Sequence, residues 1–243
     1  GHVNGAQFRI LQKKLSVDRF KKASNVVAIS NSTKNDLMRM GLKEIEVAYP
    51  GIDTDLFKPK KNINDKFLFV YPSRISQEKG HHIIIKAVRE LPKDILKEIE
   101  IILVGFISDR EYFESLQKES RDLPIRFETN VSSIVPYYQK ADVILFPTLM
   151  YEGFGFTAAE GLACDKPVIS SDFPSIREIL DKKGILVQPG NHLQLSEAMR
   201  RIFSDKELRK KISTGGHERI KENFNWDQCF KKYDEIYQGL YKN

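Results

Sequence analysis

Short runs of β-branched and aromatic residues alternate along the chain with longer stretches whose apolar residues recur every three to four positions. The first pattern predicts strands at Phe67–Pro72, Ile99–Gly105, Ile125–Thr129, Asp142–Pro147, Pro167–Ser171 and Gly184–Gln188. The second predicts helices, most clearly at Lys79–Leu91, Arg110–Arg121, Val131–Lys140, Phe156–Ala163 and Leu193–Ser204. The strands are nearly continuous apolar runs, so both faces of their sheet are expected to be covered by helices. The predicted fold class is α/β, a Rossmann-like doubly wound parallel sheet, over residues 59–223. Sheets of this kind bind ligands at the carboxyl ends of their strands, so the loops there are where chemistry is to be sought.

The flanks read differently. Asn25–Ser30 predicts one strand, and "NSTKNDLMRMG" a helix opened by the Ser32–Thr33 pair and closed on Gly41. "IEVAYPGID" predicts another strand, and the polar "FKPKKNINDK" a linker. Residues 1–58 are therefore expected to be the remnant of a preceding domain with its crossover. In residues 224–243, Phe224, Trp226, Phe230, Tyr233, Ile236, Tyr237 and Leu240 form an apolar face at helical spacing, expected to be buried against a partner surface. The start at Gly-His, without Met, suggests a truncated chain.

Composition narrows the classes. The 243 residues are 41% hydrophobic and 30% charged, which fits a folded chain rather than a disordered one. The net charge of +6 is modest and spread over helix faces, so no nucleic-acid partner is expected. The concentration "RILQKKLSVDRFKK" (Arg9–Lys22) reads as an ordinary surface helix, with peripheral contact to an anionic membrane as the second option. Two cysteines, Cys164 and Cys229, make neither a disulfide framework nor a metal cluster. No run approaches the ~20 apolar residues of a membrane span, and the expected location is cytoplasmic, or peripheral at the inner membrane face.

The loops carry the candidate chemistry. "PSRISQEKG" brings Arg74 and Lys79 just past the first strand of the sheet, two cations suited to a diphosphate. Gly105 permits a tight turn or a close ligand approach. Near Val131, exposed backbone offers a surface for a base. "YEGFGFTAAEG" is the densest stretch. Gly153 and Gly155 bracket Phe154 and leave bare amides at a helix start, an anion site. Glu152 precedes this turn and can accept hydrogen bonds from sugar hydroxyls. Glu160, about two helical turns on, can accept both hydroxyls of a ribose. A ligand with hydroxyls at both ends and phosphates between them, a nucleotide-sugar, has that shape.

In their order, "AISNSTKNDL", "YPGIDTDLFKP", "SRISQEKG", "EGFGFTAAE", "KPVISSD", "REILDKKGILVQPGN" and "FNW" resemble the retaining GT-B glycosyltransferases of family four, specifically their C-terminal, donor-binding half. The resemblance runs from about Asn25 to Tyr241. It implies that Arg74 and Lys79 bind the diphosphate and stabilise the leaving nucleotide, that Glu152 holds the donor sugar and that Glu160 holds the ribose. Backbone amides at Gly153, Phe154, Gly155 and Phe156 would contact sugar and phosphate, and Thr157 would add a hydroxyl. The implied partners are a nucleotide-sugar donor and a carbohydrate or lipid-linked acceptor bound through a missing N-terminal domain. No cofactor and no metal are expected, since Arg74, Lys79 and the helix dipole would supply the charge stabilisation. The terminal helix would return toward the N-terminal domain.

Four departures from the family pattern stand out. Ser73 precedes Arg74 where Gly is common, and Pro147–Glu152 is one residue longer than usual. "DFPSIRE" lacks the paired glycines before Glu178, and Asp165 replaces a helix-ending glycine. The leading reading is a hexosyltransferase donor domain, inactive or nearly so by itself. The alternatives are a nucleotide-sugar epimerase or phosphorylase on the same fold, or a non-catalytic nucleotide-sugar binding module. His81-His82 is read as structural rather than as a metal pair, and Cys164 as a packing residue rather than a nucleophile.

Overall fold

Six strands pair side by side, every one parallel to its neighbours, in a computed structural model that describes residues 23, 25–61 and 64–241. The basic stretch Arg9–Lys22 lies outside the described residues. Ahead of the sheet stands a small unit of β1 (Val26–Ala28), α1 (Asn31–Arg39) and β2 (Ile45–Val47), whose two strands pair in parallel as a separate sheet. Its helix is capped by Ser30, whose side chain accepts from the Thr33 amide, and not by the Ser32–Thr33 pair.

The main sheet contains β3 (Phe67–Pro72), β4 (Ile99–Val104), β5 (Ile125–Glu128), β6 (Val143–Phe146), β7 (Val168–Ser171) and β8 (Gly184–Val187). The spatial order is β5-β4-β3-β6-β7-β8. Chain order reverses direction between β3 and β6, and at this switch point the loops diverge and leave a crevice. The strand expectations hold to within a residue at either end. Central strands such as β6 are buried throughout, as their unbroken apolar runs require.

Helices cover both faces. They are α2 (His81–Arg89), α3 (Lys93–Glu98), α4 (Arg110–Glu119), α5 (Val135–Lys140), α6 (Phe156–Ala163), α7 (Pro174–Leu180), α8 (His192–Ser204), α9 (Lys206–Ser213), α10 (Gly216–Asn223) and α11 (Trp226–Tyr241). The helix expected from Val131 begins only at Val135, and a 3₁₀ turn at Gln77–Lys79 precedes α2. Asp165 adopts a left-handed φ of 52°, and its carboxylate accepts from the His217 amide. An Asp tolerates that conformation, so the missing helix-ending glycine costs little.

The terminal helix buries only part of its apolar face within this chain. Cys229 and Ile236 are buried, but Trp226, Phe230, Tyr237 and Leu240 are exposed. Helical spacing gives the aromatic residues a common side, and on α11 that side turns away from the sheet. Trp226 and Phe230 stack on one another instead, with centroids 5.5 Å apart. The helix is tied to the small unit by the Lys232–Glu46 ion pair at 2.9 Å, and the Ile52 amide donates to the Phe224 carbonyl.

Candidate active site

The loops after β3 and β6 meet at the switch point. The Leu149 amide donates to the Glu78 carbonyl at 2.8 Å, and buried Tyr71 donates its hydroxyl to the Lys79 carbonyl at 2.7 Å. Gly80 lies between them at φ 76°, where an added Cβ would stand 2.3 Å from the Pro147 carbonyl oxygen. Only glycine fits both the backbone conformation and this close approach.

A cleft of about 390 Å³ opens at this edge. Arg74, Gly105, Val131, Phe156, Thr157 and Glu160, all singled out from the sequence, line it. Arg74 donates to Glu78 at 2.7 Å, while its Nε is buried without a partner. The first turn of α6 has no side-chain cap, and the residue before it, Gly155, has φ 112°. Its leading amides are therefore open to an anionic ligand, with the positive end of the helix dipole behind them.

Lys79, Glu152, Gly153, Phe154 and Gly155 stand outside that lining. The Lys79 ammonium pairs with Glu152 Oε1 at 2.6 Å, and the Thr148 hydroxyl donates to the same oxygen at 3.1 Å. This cation and this acid, expected at different parts of a ligand, are joined in the structure. In the Pro147–Glu152 loop Met150 and Tyr151 are exposed, while Glu152 is held by Lys79 and Thr148. The Phe154 ring is buried and packs near Tyr49, Phe156 and Phe224, so its side chain anchors the turn. The Thr157 hydroxyl donates to the Pro72 carbonyl at 3.2 Å.

Glu160 has a partner that the sequence did not reveal. Fully buried Tyr138, on α5, donates to Glu160 Oε2 at 2.5 Å. Burial pushes the Glu160 carboxyl up to about 7, against the opposing pull of the Tyr138 hydroxyl. Tyr138 and Thr148 bear no recognisable spacing signal, because neither belongs to the glycine–acid stretch. Cys164 is buried and unbonded, and burial raises its thiol to about 12, which suits packing and not nucleophilic attack. His81 is also fully enclosed. Among the described residues no three His, Cys, Asp or Glu side chains group as metal ligands, and no helix is long and apolar enough to cross a membrane.

The family model for glycosyl transferases group 1 matches residues 53–219, more than half of the chain. The chain belongs to this family. Its match covers the whole switch-point edge, including both loops described above. An uncharacterised glycosyltransferase of Methanocaldococcus jannaschii is 26% identical over 91% of this chain and 60% of its own length. The chain thus spans about three fifths of that relative's length. The crystal structure of a glycosyltransferase from Rickettsia africae superposes with a TM-score of 0.85 at 26% identity, over 95% of this chain and 67% of the other. HepE of Anabaena, solved in complex with UDP and glucose, shares the fold with a TM-score of 0.83 at 21% identity, over 96% of this chain and 67% of its own. A GT-B glycosyltransferase architecture is thereby established for the described chain.

Proposed function

We propose that the chain is the donor-binding half of a retaining glycosyltransferase, acting on a nucleotide-diphosphate hexose without a metal. The observation that carries this reading is the convergence of Arg74, the uncapped N-terminus of α6 and Glu160 on one cleft at the switch point. The Glu160 carboxylate accepts hydrogen bonds from the ribose hydroxyls. Arg74, Lys79 and the α6 amides neutralise the diphosphate. Glu152, on the far side of the α6 N-terminus, accepts from hydroxyls of the sugar. Phosphates at the amides, with acids to either side, match the shape of the ligand.

In the reaction, the bond between the anomeric carbon and the β-phosphate oxygen breaks, and its electron pair leaves with the nucleoside diphosphate. In this reading Arg74, Lys79 and the helix amides stabilise the charge that develops there, the kind of contribution that lowers a barrier most. An acceptor hydroxyl oxygen bonds the anomeric carbon on the departing face, and its proton passes to the leaving phosphate oxygen. A carbohydrate or lipid-linked acceptor would be held by the remaining part of a longer protein, with the transfer carried out at the cytoplasmic side.

Calorimetric titration with UDP-, GDP- and ADP-sugars and the matched diphosphates tests the reading. One nucleotide series should bind with the others at least tenfold weaker, and the isolated chain should transfer sugar poorly or not at all. No binding by any series would overturn the proposal, and so would turnover of a nucleotide-sugar without an acceptor.

A further inference from the structure

The segment carrying Glu152 is gripped from two sides. From the sheet domain, the Ser175 hydroxyl on α7 donates to the Glu152 carbonyl at 2.5 Å. From the small N-terminal unit, the Ser30 hydroxyl donates to the Gly153 carbonyl at 2.7 Å, and Thr33 Oγ1 lies 3.3 Å from the same oxygen. The Ser32 and Tyr151 hydroxyls are also hydrogen-bonded. Gly153 itself could not be larger without yielding, since an added Cβ would come 2.8 Å from Ile29 Cδ1.

The same contact completes helix α1. Its first two amides, at Asn31 and Ser32, donate to the two carboxylate oxygens of Glu178 at 2.9 and 2.6 Å, and its third, at Thr33, donates to Ser30 Oγ. Glu178 belongs to α7, so a carboxylate from the sheet domain caps a helix of the other unit. A charge-assisted cap at the positive end of a helix is a strong and directional link. Tyr49 donates to the same carboxylate at 2.6 Å, and Arg219 holds the Glu178 carbonyl at 2.7 Å, which fixes α7 in turn.

We infer that Ser30, Thr33 and Glu178 are positioning residues that set the Glu152 loop for the donor sugar, through the hydrogen bonds linking α1 to α7 and to the Gly153 carbonyl. They do not touch the cleft that holds the nucleotide end. They act through the Gly153 carbonyl, directly after Glu152, and a shift of about 1 Å at a positioned group costs substantial activity. The β1-α1-β2 unit forms its own sheet, so its placement is transmitted to the sugar end of the site and not to the ribose end. By linkage, a bound sugar favours the clasped arrangement in return. This inference rests on the assignment of Glu152 to the sugar.

The test uses the whole chain and calorimetry with UDP-glucose, GDP-mannose and ADP-glucose beside UDP, GDP and ADP. The Ser30→Ala/Thr33→Val pair and Glu178→Gln should each weaken the preferred nucleotide-sugar about tenfold, the scale of one or two lost hydrogen bonds. Both should leave the matching diphosphate within about twofold of wild type, and Thr33→Ser, which keeps the hydroxyl, should behave as wild type in both titrations. Amide exchange at residues 150–155 should quicken in the Ser30→Ala/Thr33→Val protein, a readout that stands even where affinity is hard to measure. Equal weakening of sugar and diphosphate, or unchanged exchange, would overturn the inference while leaving the donor site intact. A wild-type protein that binds no nucleotide would overturn the underlying assignment as well.

Discussion

Lys79 and Glu152 form an ion pair at 2.6 Å, with only 16% and 17% of their side chains exposed. Whatever such a pair gains net of its lost hydration, leaving either partner alone in this enclosure is costly. The structure therefore holds this cation and this acid against each other, and under the proposed donor assignment they would exchange that contact for phosphate and hydroxyl.

Glu152→Ala should weaken nucleotide-sugar binding tenfold or more. It should leave the free diphosphate as tight or tighter, because Lys79 is released to the phosphates. Glu160→Ala should weaken both ligands alike. Lys79→Ala should lower stability by roughly 3 kcal/mol, and adding Glu152→Ala should recover part of that loss. Titration calorimetry and denaturant unfolding read these outcomes, and equal effects of the two glutamate variants on free diphosphate would contradict the assignment.

Nucleotide binding should strengthen as pH rises through about 7, where the buried Glu160 carboxyl ionises and becomes the better acceptor for ribose hydroxyls. Tyr138→Phe removes the hydrogen bond that favours the carboxylate, so the midpoint should move to higher pH. A 2′,3′-dideoxy nucleotide should show neither dependence. Affinities measured from pH 5.5 to 8.5 decide this, and a flat profile for the ribonucleotide would refute it.

His81 and Glu160 should pull the pH dependence of stability in opposite directions. Burial lowers His81 to about 3, with the backbone of Ser76 opposing weakly, and neither ring nitrogen makes a well-aligned hydrogen bond. Its folded pKa lies below its ordinary value of 6.5, so its contribution is present above pH 6.5 and is lost as pH falls toward 3. Glu160 is raised above its ordinary 4.5, so its contribution is full below pH 4.5 and is lost as pH rises through 7. Each slope is at most about 1.4 kcal/mol per pH unit, and the two offset between pH 4.5 and 6.5. Glu160→Gln should expose a clear loss of stability on acidification in that window, and His81→Leu a loss on alkalinisation. Denaturant midpoints measured across the window check both signs.

Much of the architecture was legible because its signals are local. An unbroken apolar run such as Val143–Phe146 leaves no face for water, and the prediction of a covered parallel strand follows from that alone. The bare glycines before Phe156 likewise announce an uncapped helix start. Tyr138 gave no such signal. Its hydroxyl matters only because the β5–β6 connection brings α5 beside α6, twenty-two positions later in sequence. The same limit holds for the exposed side of α11, since helical spacing fixes which residues share a face but not what that face meets.

The sequence by itself determined the strand–helix alternation and the edge of the sheet at which to look, and it singled out Arg74, Glu152 and Glu160 as candidates there. These depend on period, on backbone freedom at glycine and on charge, all properties of neighbours along the chain. Tertiary structure alone decided that Lys79 meets Glu152, that Tyr138 meets Glu160, and that Glu178 caps a helix 146 positions earlier. Hydrogen bonds and ion pairs act over about 3 Å, and packing, not sequence separation, sets which groups come within that reach.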